Sequence, residues 1–218
     1  MKTNVNEMAK PELFREKLQN QFDLAFSSGD YTSLREHYIK LRNIEFHLPF
    51  EYTKELINIS ALIENLTIAC DIIVGSMGVN FIFCGNETSH IYGNGKVLSK
   101  AFLNVLSNAY LHGKGNLVTI KTIESDEYVK IEVKNEGLFS ALKFGDGLSF
   151  IHKTCRNMNG MFFIETDGFS TNSVMCIKKS VAVRYHNYSV PYFYEYLNDK
   201  LSPVYIELFG MIKNKAEE

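Results

Sequence analysis

The stretch that decides the fold reads LSKAFLNVLSNAYLHG and covers residues 98–113. Its apolar residues, such as Leu98 and Phe102, recur at the spacing of a helix that buries one face. Asn104 and Asn108 lie four residues apart and share a strip beside that face. Side-chain amides there can coordinate Mg²⁺ or hydrogen-bond a phosphate without adding charge. The pattern also suits an amphipathic helix that carries two asparagines with no ligand role.

The sequence after this helix predicts a β-hairpin, a second helix and two further strands. The acidic turn Glu-Ser-Asp-Glu separates the two alternating runs of the hairpin. Gly145 and Gly147 then open an apolar-periodic helix, where backbone N–H groups can approach an anion closely. Asn159 and Gly160 suit the end of that helix. The predicted strands of this part are residues 117–123, 128–133, 161–165 and 173–177.

The order of these motifs resembles the ATP-binding domain of sensor histidine kinases. That domain belongs to the GHKL or Bergerat-fold group, with gyrase, certain heat-shock chaperones and MutL proteins. The resemblance implies an α+β fold, a GHKL-type sandwich in which helices cover a mixed sheet. It covers residues 56–180, because residues 57–60, 61–74 and 79–84 match the strand, helix and strand that open the domain.

The resemblance also implies a site for ATP and Mg²⁺. Asn104 and Asn108 match the N-box, and Asn108 is the implied Mg²⁺ ligand. Asn135 and Gly137 match the adenine-recognition box. A second glycine box beside the phosphates begins at Gly145. The implied nucleotide-binding residues are Asn104, Asn108, His112, Asn135, Gly137, Gly145, Gly147 and Leu148.

The chain departs from the family pattern within this site. Asn135 replaces the usual aspartate, although its side-chain carbonyl can still accept a hydrogen bond from adenine. Kinases related to peptide quorum-sensing receptors commonly carry asparagine there. Phe139 and Ser149 replace glycines, and few residues separate Gly137 from Gly145 as a nucleotide lid. These changes leave two alternatives open, a nucleotide pocket and a filled, degenerate one.

Asn104 bears on the reaction class. Gyrase-like and chaperone-like members place a glutamate four residues before the metal-binding asparagine, where it orients the attacking water. This chain has Asn104 at that position. The substitution favours a kinase-type or non-catalytic role over ATP hydrolysis.

The first fifty residues predict a helical hairpin of the kind that dimerises histidine kinases. Residues 11–26 and 31–46 are helix-compatible, and Asp30 can cap the second helix. Residues 14–21 resemble the acceptor box of quorum-sensing receptor kinases, with Glu16 in place of the phosphorylated histidine. A carboxylate cannot supply the accepting imidazole nitrogen, so weak or absent autophosphorylation is expected.

His37 is the residue of this region that could replace the missing acceptor. Its alternative interpretation is a solvated helix residue among Arg35, Glu36 and Lys40. The resulting domain division is a hairpin at residues 1–50, an ATP-binding domain at 51–182 and an aromatic-rich extension at 183–218. That extension could pack on its own domain, bind a receiver domain or join two subunits.

Composition excludes several other classes of protein. A net charge of -2 gives no electrostatic case for nucleic acid. Four isolated cysteines indicate buried thiols in a reducing compartment rather than a disulfide framework. The N-terminus lacks a signal-peptide core, and polar residues interrupt the longest apolar stretch, so we expect a cytoplasmic protein without a membrane span.

Two main hypotheses follow. The first is a cytoplasmic histidine-kinase-like protein of two-component signal transduction that binds ATP·Mg²⁺, forms a homodimer and works with a response regulator or a kinase partner. The second is a non-catalytic scaffold, a pseudokinase that captures such a partner. A serine/threonine kinase acting on a partner protein is a third possibility.

Overall fold

The computed structural model describes residues 27–47, 55–75, 78–85, 89–137, 146–179 and 187–208, together with Asn20 and Leu24. The helices are α1 (Tyr31–His47), α2 (Ile59–Val74), α3 (Gly95–His112), α4 (Asp146–Asn157), α5 (Phe193–Asn198) and α6 (Pro203–Leu208). The strands are β1 (Glu55–Asn58), β2 (Asn80–Gly85), β3 (His90–Gly93), β4 (Leu117–Glu124), β5 (Tyr128–Glu136), β6 (Met161–Thr166) and β7 (Ser170–Lys178).

The central sheet has the strand order β2-β4-β5-β7-β6. β2 and β4 run parallel, and the other neighbours are antiparallel. One face of the sheet carries buried Ile120, Ile131 and Met175, which share a single core with apolar residues of α2, α3 and α4. The predicted α+β sandwich, a mixed sheet covered by helices, is therefore confirmed.

Helix α3 is the centre of this core. The Asn94 side chain accepts a hydrogen bond from the backbone N–H of Val97 at 3.0 Å and so caps the first turn. Leu98, Phe102 and Leu106 are fully buried. The apolar periodicity that predicts the helix thus corresponds to the face that contacts the core.

The start of α2 corrects the sequence-based prediction. The sequence pattern predicts a strand at residues 57–60, but β1 is Glu55–Asn58 and Ile59 already belongs to the helix. The reason is that the Asn58 side chain accepts a hydrogen bond from Ala61 N at 3.0 Å, which caps the helix at this point. β1 pairs with β3, a strand that the sequence analysis did not predict.

Helix α1 and the tail pack against each other. α1 begins after the predicted cap Asp30, whose carboxylate accepts from Ser33 N at 3.0 Å and from Ser33 Oγ at 2.6 Å. A second apolar cluster joins α1 to the aromatic-rich extension. It consists of Leu34, Tyr38, Leu41, Leu201, Tyr205 and Ile206. Of the three roles open to the extension, packing on its own chain is the one observed for residues 187–208, since α5 contacts α2 and α6 contacts α3.

Several predicted features lie outside the described residues. These are the hairpin helix at 11–26 except for Asn20 and Leu24, the acceptor-box position Glu16, and the lid residues 138–145 with Phe139 and Gly145. Within the described ranges, no helix has the length and apolar character needed to cross a membrane.

Candidate functional site

Helices α3 and α4 run antiparallel beside each other. A Cβ atom added to Gly147 would lie 2.7 Å from Asn104 Oδ1, so these two residues are in contact. One turn away, the Lys100 ammonium lies 5.3 Å from the centroid of the Phe150 ring. Residues with lower numbers in α3 therefore contact residues with higher numbers in α4. By this register Asn108 lies beyond the first residue of α4, at the positive end of that helix. We call Asn104, Asn108 and Gly147 the α3–α4 junction.

Asn104 is enclosed by protein at this junction. Its side chain is buried, and the Oδ1 atom accepts a hydrogen bond from Arg42 Nη2 at 2.9 Å. The Nδ2 atom donates to the carbonyl oxygen of Lys100 at 2.9 Å. Both ends of this amide thus have partners within the chain. Asn104 links α1 to α3.

Asn108 has a different environment, although it lies only one turn further along α3. Its side chain is half-buried. Within the described part of the chain, its amide makes no hydrogen bond. An amide in this state can offer its oxygen to a cation or its N–H group to an anion without breaking an existing contact.

The predicted adenine box lies beside the C-terminal end of α3. Asn135 is buried near the end of β5, and its Nδ2 donates to the Glu136 carbonyl at 3.1 Å. No described residue donates a hydrogen bond to its Oδ1. Gly137 follows with a φ of +108°, and a Cβ there would lie 3.2 Å from the His112 carbonyl oxygen. The glycine is therefore required both by its backbone conformation and by the close approach of α3.

Hydrogen bonds fix the position of Gly137. Its N–H donates to the Phe169 carbonyl at 2.8 Å, and its own carbonyl accepts from Thr171 Oγ1 at 2.7 Å. About eight residues of α3 separate Asn104 from the level of Gly137, which is roughly 12 Å at 1.5 Å per residue. Gly137 and Gly147 thus lie beside the same helix, at different levels along its axis.

The remaining predicted residues are more scattered. His112 is exposed at the last residue of α3. Leu148 is buried among apolar residues of the main core. His37 is half-buried on α1, and its Nδ1 donates to the Ser33 carbonyl at 2.6 Å. Gly145 lies outside the described residues.

Sequence reasoning missed the pair Arg42 and Glu207. Arg42 Nε lies 2.7 Å from Glu207 Oε2, and the Glu207 side chain is completely buried. The signal for Glu207 was present, because a carboxylate within the apolar run of α6 needs a cation when it is buried. Its partner is 165 positions away in the sequence, and nothing in the local pattern of either helix indicates the pairing.

Within the part of the chain that the structure describes, the thiols and acidic groups form no second candidate site. Burial raises the pKa of the Cys155 thiol to about 12, so this thiol stays protonated at neutral pH. Among the described residues, no cluster of three or more His, Cys, Asp and Glu side chains could hold a metal ion.

Comparison with known proteins gives a structural likeness without a sequence match. No protein-family model matches the chain, and the curated proteins yield no match either. The nucleotide-free catalytic domain of histidine kinase ThkA is 19% identical with a TM-score of 0.52, and the match covers 60% of this chain and 97% of that domain. Histidine kinase AdeS of Acinetobacter baumannii is 15% identical with a TM-score of 0.53, over 79% of this chain and 87% of AdeS.

A third solved structure is full-length ShkA in complex with AMPPNP. It is 13% identical with a TM-score of 0.54, and the match covers 76% of this chain and 40% of ShkA. At identities this low, the likeness establishes the fold. The chain has the α/β sandwich fold seen in the catalytic domains of histidine kinases.

Proposed function

We propose that this chain is a histidine-kinase-like signalling protein that binds ATP·Mg²⁺ along α3, at the α3–α4 junction. The observation that carries the proposal is the contrast between the two N-box asparagines. Both the oxygen and the nitrogen of the Asn104 amide are hydrogen-bonded within the protein, whereas the Asn108 amide makes no hydrogen bond within the described residues. The fold likeness supports it, since ShkA was solved with a nucleotide analogue.

The residues present fit such a ligand. Asn108 would hold Mg²⁺, and the backbone N–H groups at the start of α4 would receive the phosphates. Only glycine fits at position 147 without a shift of Asn104, since a Cβ there would meet Asn104 Oδ1 at 2.7 Å. Asn135 would accept the adenine amino group through its Oδ1. When bound, ATP supplies a transferable phosphoryl group, and Mg²⁺ neutralises charge on its phosphates.

We propose that phosphate transfer within the chain is weak or absent. Glu16 at the acceptor position offers no imidazole nitrogen, and Asn104 offers no carboxylate to activate water for hydrolysis. His37 is the substitute acceptor in this proposal. Because its Nδ1 donates to the Ser33 carbonyl, the lone pair of the neutral ring lies on Nε2. A homodimer through the hairpin at residues 1–50 and a response regulator or kinase partner complete the proposal.

Calorimetric titration with ATP·Mg²⁺ tests the site directly. We expect the parent chain to bind, and Asn108→Ala to lose about tenfold or more in affinity, because a ligand to the cation is removed. Asn116→Ala is the matched control, since it removes the same group from an exposed position before β4. Absence of binding to the parent, or equal binding by Asn108→Ala, would contradict the nucleotide site.

The second candidate is a non-catalytic scaffold for a response regulator or kinase partner. The hydrogen bond from Arg42 on α1 to Asn104 Oδ1 favours this candidate, because one of the two N-box amides already has a partner within the protein. Millimolar ATP would then leave the melting temperature of the folded chain unchanged, whereas a ligand at 100 times its dissociation constant stabilises by about 2.7 kcal/mol. A thermal shift of several degrees would reject the scaffold hypothesis.

A further inference from the structure

We infer that Arg42 is a binding residue of the same site, which donates a hydrogen bond to the terminal phosphate of the bound triphosphate. The inference rests on the proposed function and deepens it, since it assigns the recognition of the third phosphate to a helix outside the sandwich. It is carried by three observations: the placement of α1, the orientation of the Arg42 side chain, and the position of its guanidinium on α3.

The first observation is that α1 packs through apolar side chains on the C-terminal extension, whose helix α6 in turn contacts α3 of the sandwich. Leu34 and Tyr38 are fully buried, and the Tyr38 hydroxyl donates to the Lys200 carbonyl at 2.9 Å. The Tyr38 and Tyr205 rings stack with centroids 6.5 Å apart. Arg42 follows this face by one turn, and only 28% of its side chain is exposed. The guanidinium is thereby directed inward rather than into solvent.

The second observation concerns how the guanidinium is oriented. Glu207 is completely buried, and its Oε2 lies 2.7 Å from Arg42 Nε. This ion pair holds the guanidinium beside α6, although Nε and the Glu207 oxygens are not aligned for a hydrogen bond. Nη2 donates to Asn104 Oδ1 at 2.9 Å. A donor held in place before a ligand arrives loses little conformational entropy on binding.

The third observation is the position of Nη2 along the proposed nucleotide path. It lies 3.9 Å from the site of a Cβ on Gly147, the second residue of α4. Asn104 lies in the middle of α3, about 12 Å along the helix axis from the level of Gly137 and further from the adenine box than Asn108 is. In a nucleotide that binds along α3 with its adenine at Asn135, the γ-phosphate is the group farthest from the adenine and so the one that would reach Nη2. A charged phosphate oxygen is a better acceptor for Nη2 than the neutral amide oxygen of Asn104, so the donor can exchange between them.

The test compares ATP with ADP, because only ATP carries the phosphate that Arg42 would contact. We expect the parent chain to bind ATP·Mg²⁺ more tightly than ADP·Mg²⁺ in calorimetric titration. Arg42→Ala should lower this preference about tenfold while ADP affinity changes little. A role confined to holding the fold would lower both affinities together and leave their ratio unchanged.

Arg42→Ala leaves Glu207 buried without its cation and can fail to fold. The double variant Arg42→Gln/Glu207→Gln avoids this, because it places two neutral amides where the ion pair was. Arg35→Ala, at an exposed position of the same helix, controls for the loss of one positive charge. A lowered ATP preference in the folded double variant, with the parent preference kept in Arg35→Ala, supports the inference.

The other outcomes overturn it, and they separate it from the proposed function. A parent chain that binds ATP and ADP equally, or a double variant that keeps the full ATP preference, removes the role of Arg42 and leaves the nucleotide site standing. A parent chain that binds neither nucleotide removes the proposed function and this inference with it.

Discussion

Gly137→Ala tests the contact between the adenine box and the end of α3. The glycine has a φ of +108°, which an alanine adopts at a cost of about 1–3 kcal/mol. The added Cβ would also lie 3.1 Å from Lys114 N and 3.2 Å from the His112 carbonyl oxygen. Because these are backbone atoms, relieving the contact requires α3 and the strand to move apart, which costs about a further 1–3 kcal/mol.

Gly78→Ala is the matched control for backbone strain. Gly78 has a similar φ of +84°, but a Cβ there would meet nothing within 4 Å. We therefore expect Gly137→Ala to lose about 2 kcal/mol more unfolding free energy than Gly78→Ala. For a chain of this size, that difference corresponds to a melting temperature roughly 4–8 °C lower.

Urea unfolding followed by far-UV circular dichroism measures both variants, and the absence of tryptophan from the sequence rules out indole fluorescence as the probe. Equal losses in the two variants would refute the reasoning, since the close backbone contact would then contribute nothing. A Gly137→Ala chain that is destabilised as expected should also bind ATP·Mg²⁺ more weakly, because the adenine box has moved.

Three further outcomes are expected. Tyr38→Ala should lower the unfolding free energy by about 3–5 kcal/mol in urea titration, because a fully buried ring is removed; a loss below about 1 kcal/mol would mean that α1 does not pack on the tail. A hydrogen bond from Lys179 lowers the pKa of Glu124, so ionised Glu124 contributes at most about 1 kcal/mol to the unfolding free energy at neutral pH. This contribution is lost as the pH falls through the lowered pKa. The difference in unfolding free energy between the parent and Glu124→Gln should therefore shrink on acidification, and a difference that grows would contradict this. In the native chain, Ellman's reagent should modify exposed Cys84 rapidly and leave the buried Cys155 thiol unmodified until urea is added; rapid loss of two or more thiols would show an open core.

The regular elements of the sandwich could be predicted because their signals are local. The alternation in residues 117–123 and 128–133 matches strands β4 and β5, and the apolar spacing around Phe102 matches α3. Asn159 with a φ of +55° and Gly160 end the following helix as their residue types indicate. Each of these depends on neighbours within a few positions in the sequence.

The sequence-based predictions are wrong or incomplete where side-chain contacts, including some between residues far apart in the sequence, determine the structure. The Asn58 cap ended β1 two residues earlier than its apolar residues indicated. In the candidate site, Asn104 and Asn108 look equivalent in the sequence, yet one is bonded to Arg42, 62 positions away. No pattern within α3 distinguishes them, because the difference comes from the packing of α1 against α6.

The contact between α1 and the tail also has a consequence for the order of folding. Tyr38 and Lys200 are separated by 162 residues, so closing this loop carries a large entropic cost and few compensating contacts, since the cluster around Tyr38 is separate from the main core. We expect α1 to pack on α6 last and to detach from it first, whereas α6 stays on the sandwich because its residues Val204 and Leu208 belong to the main core. Backbone amides of α1 should then have a lower opening free energy in native-state hydrogen exchange than those of α3. Each such opening would free Asn104 from Arg42 while the sandwich stays folded.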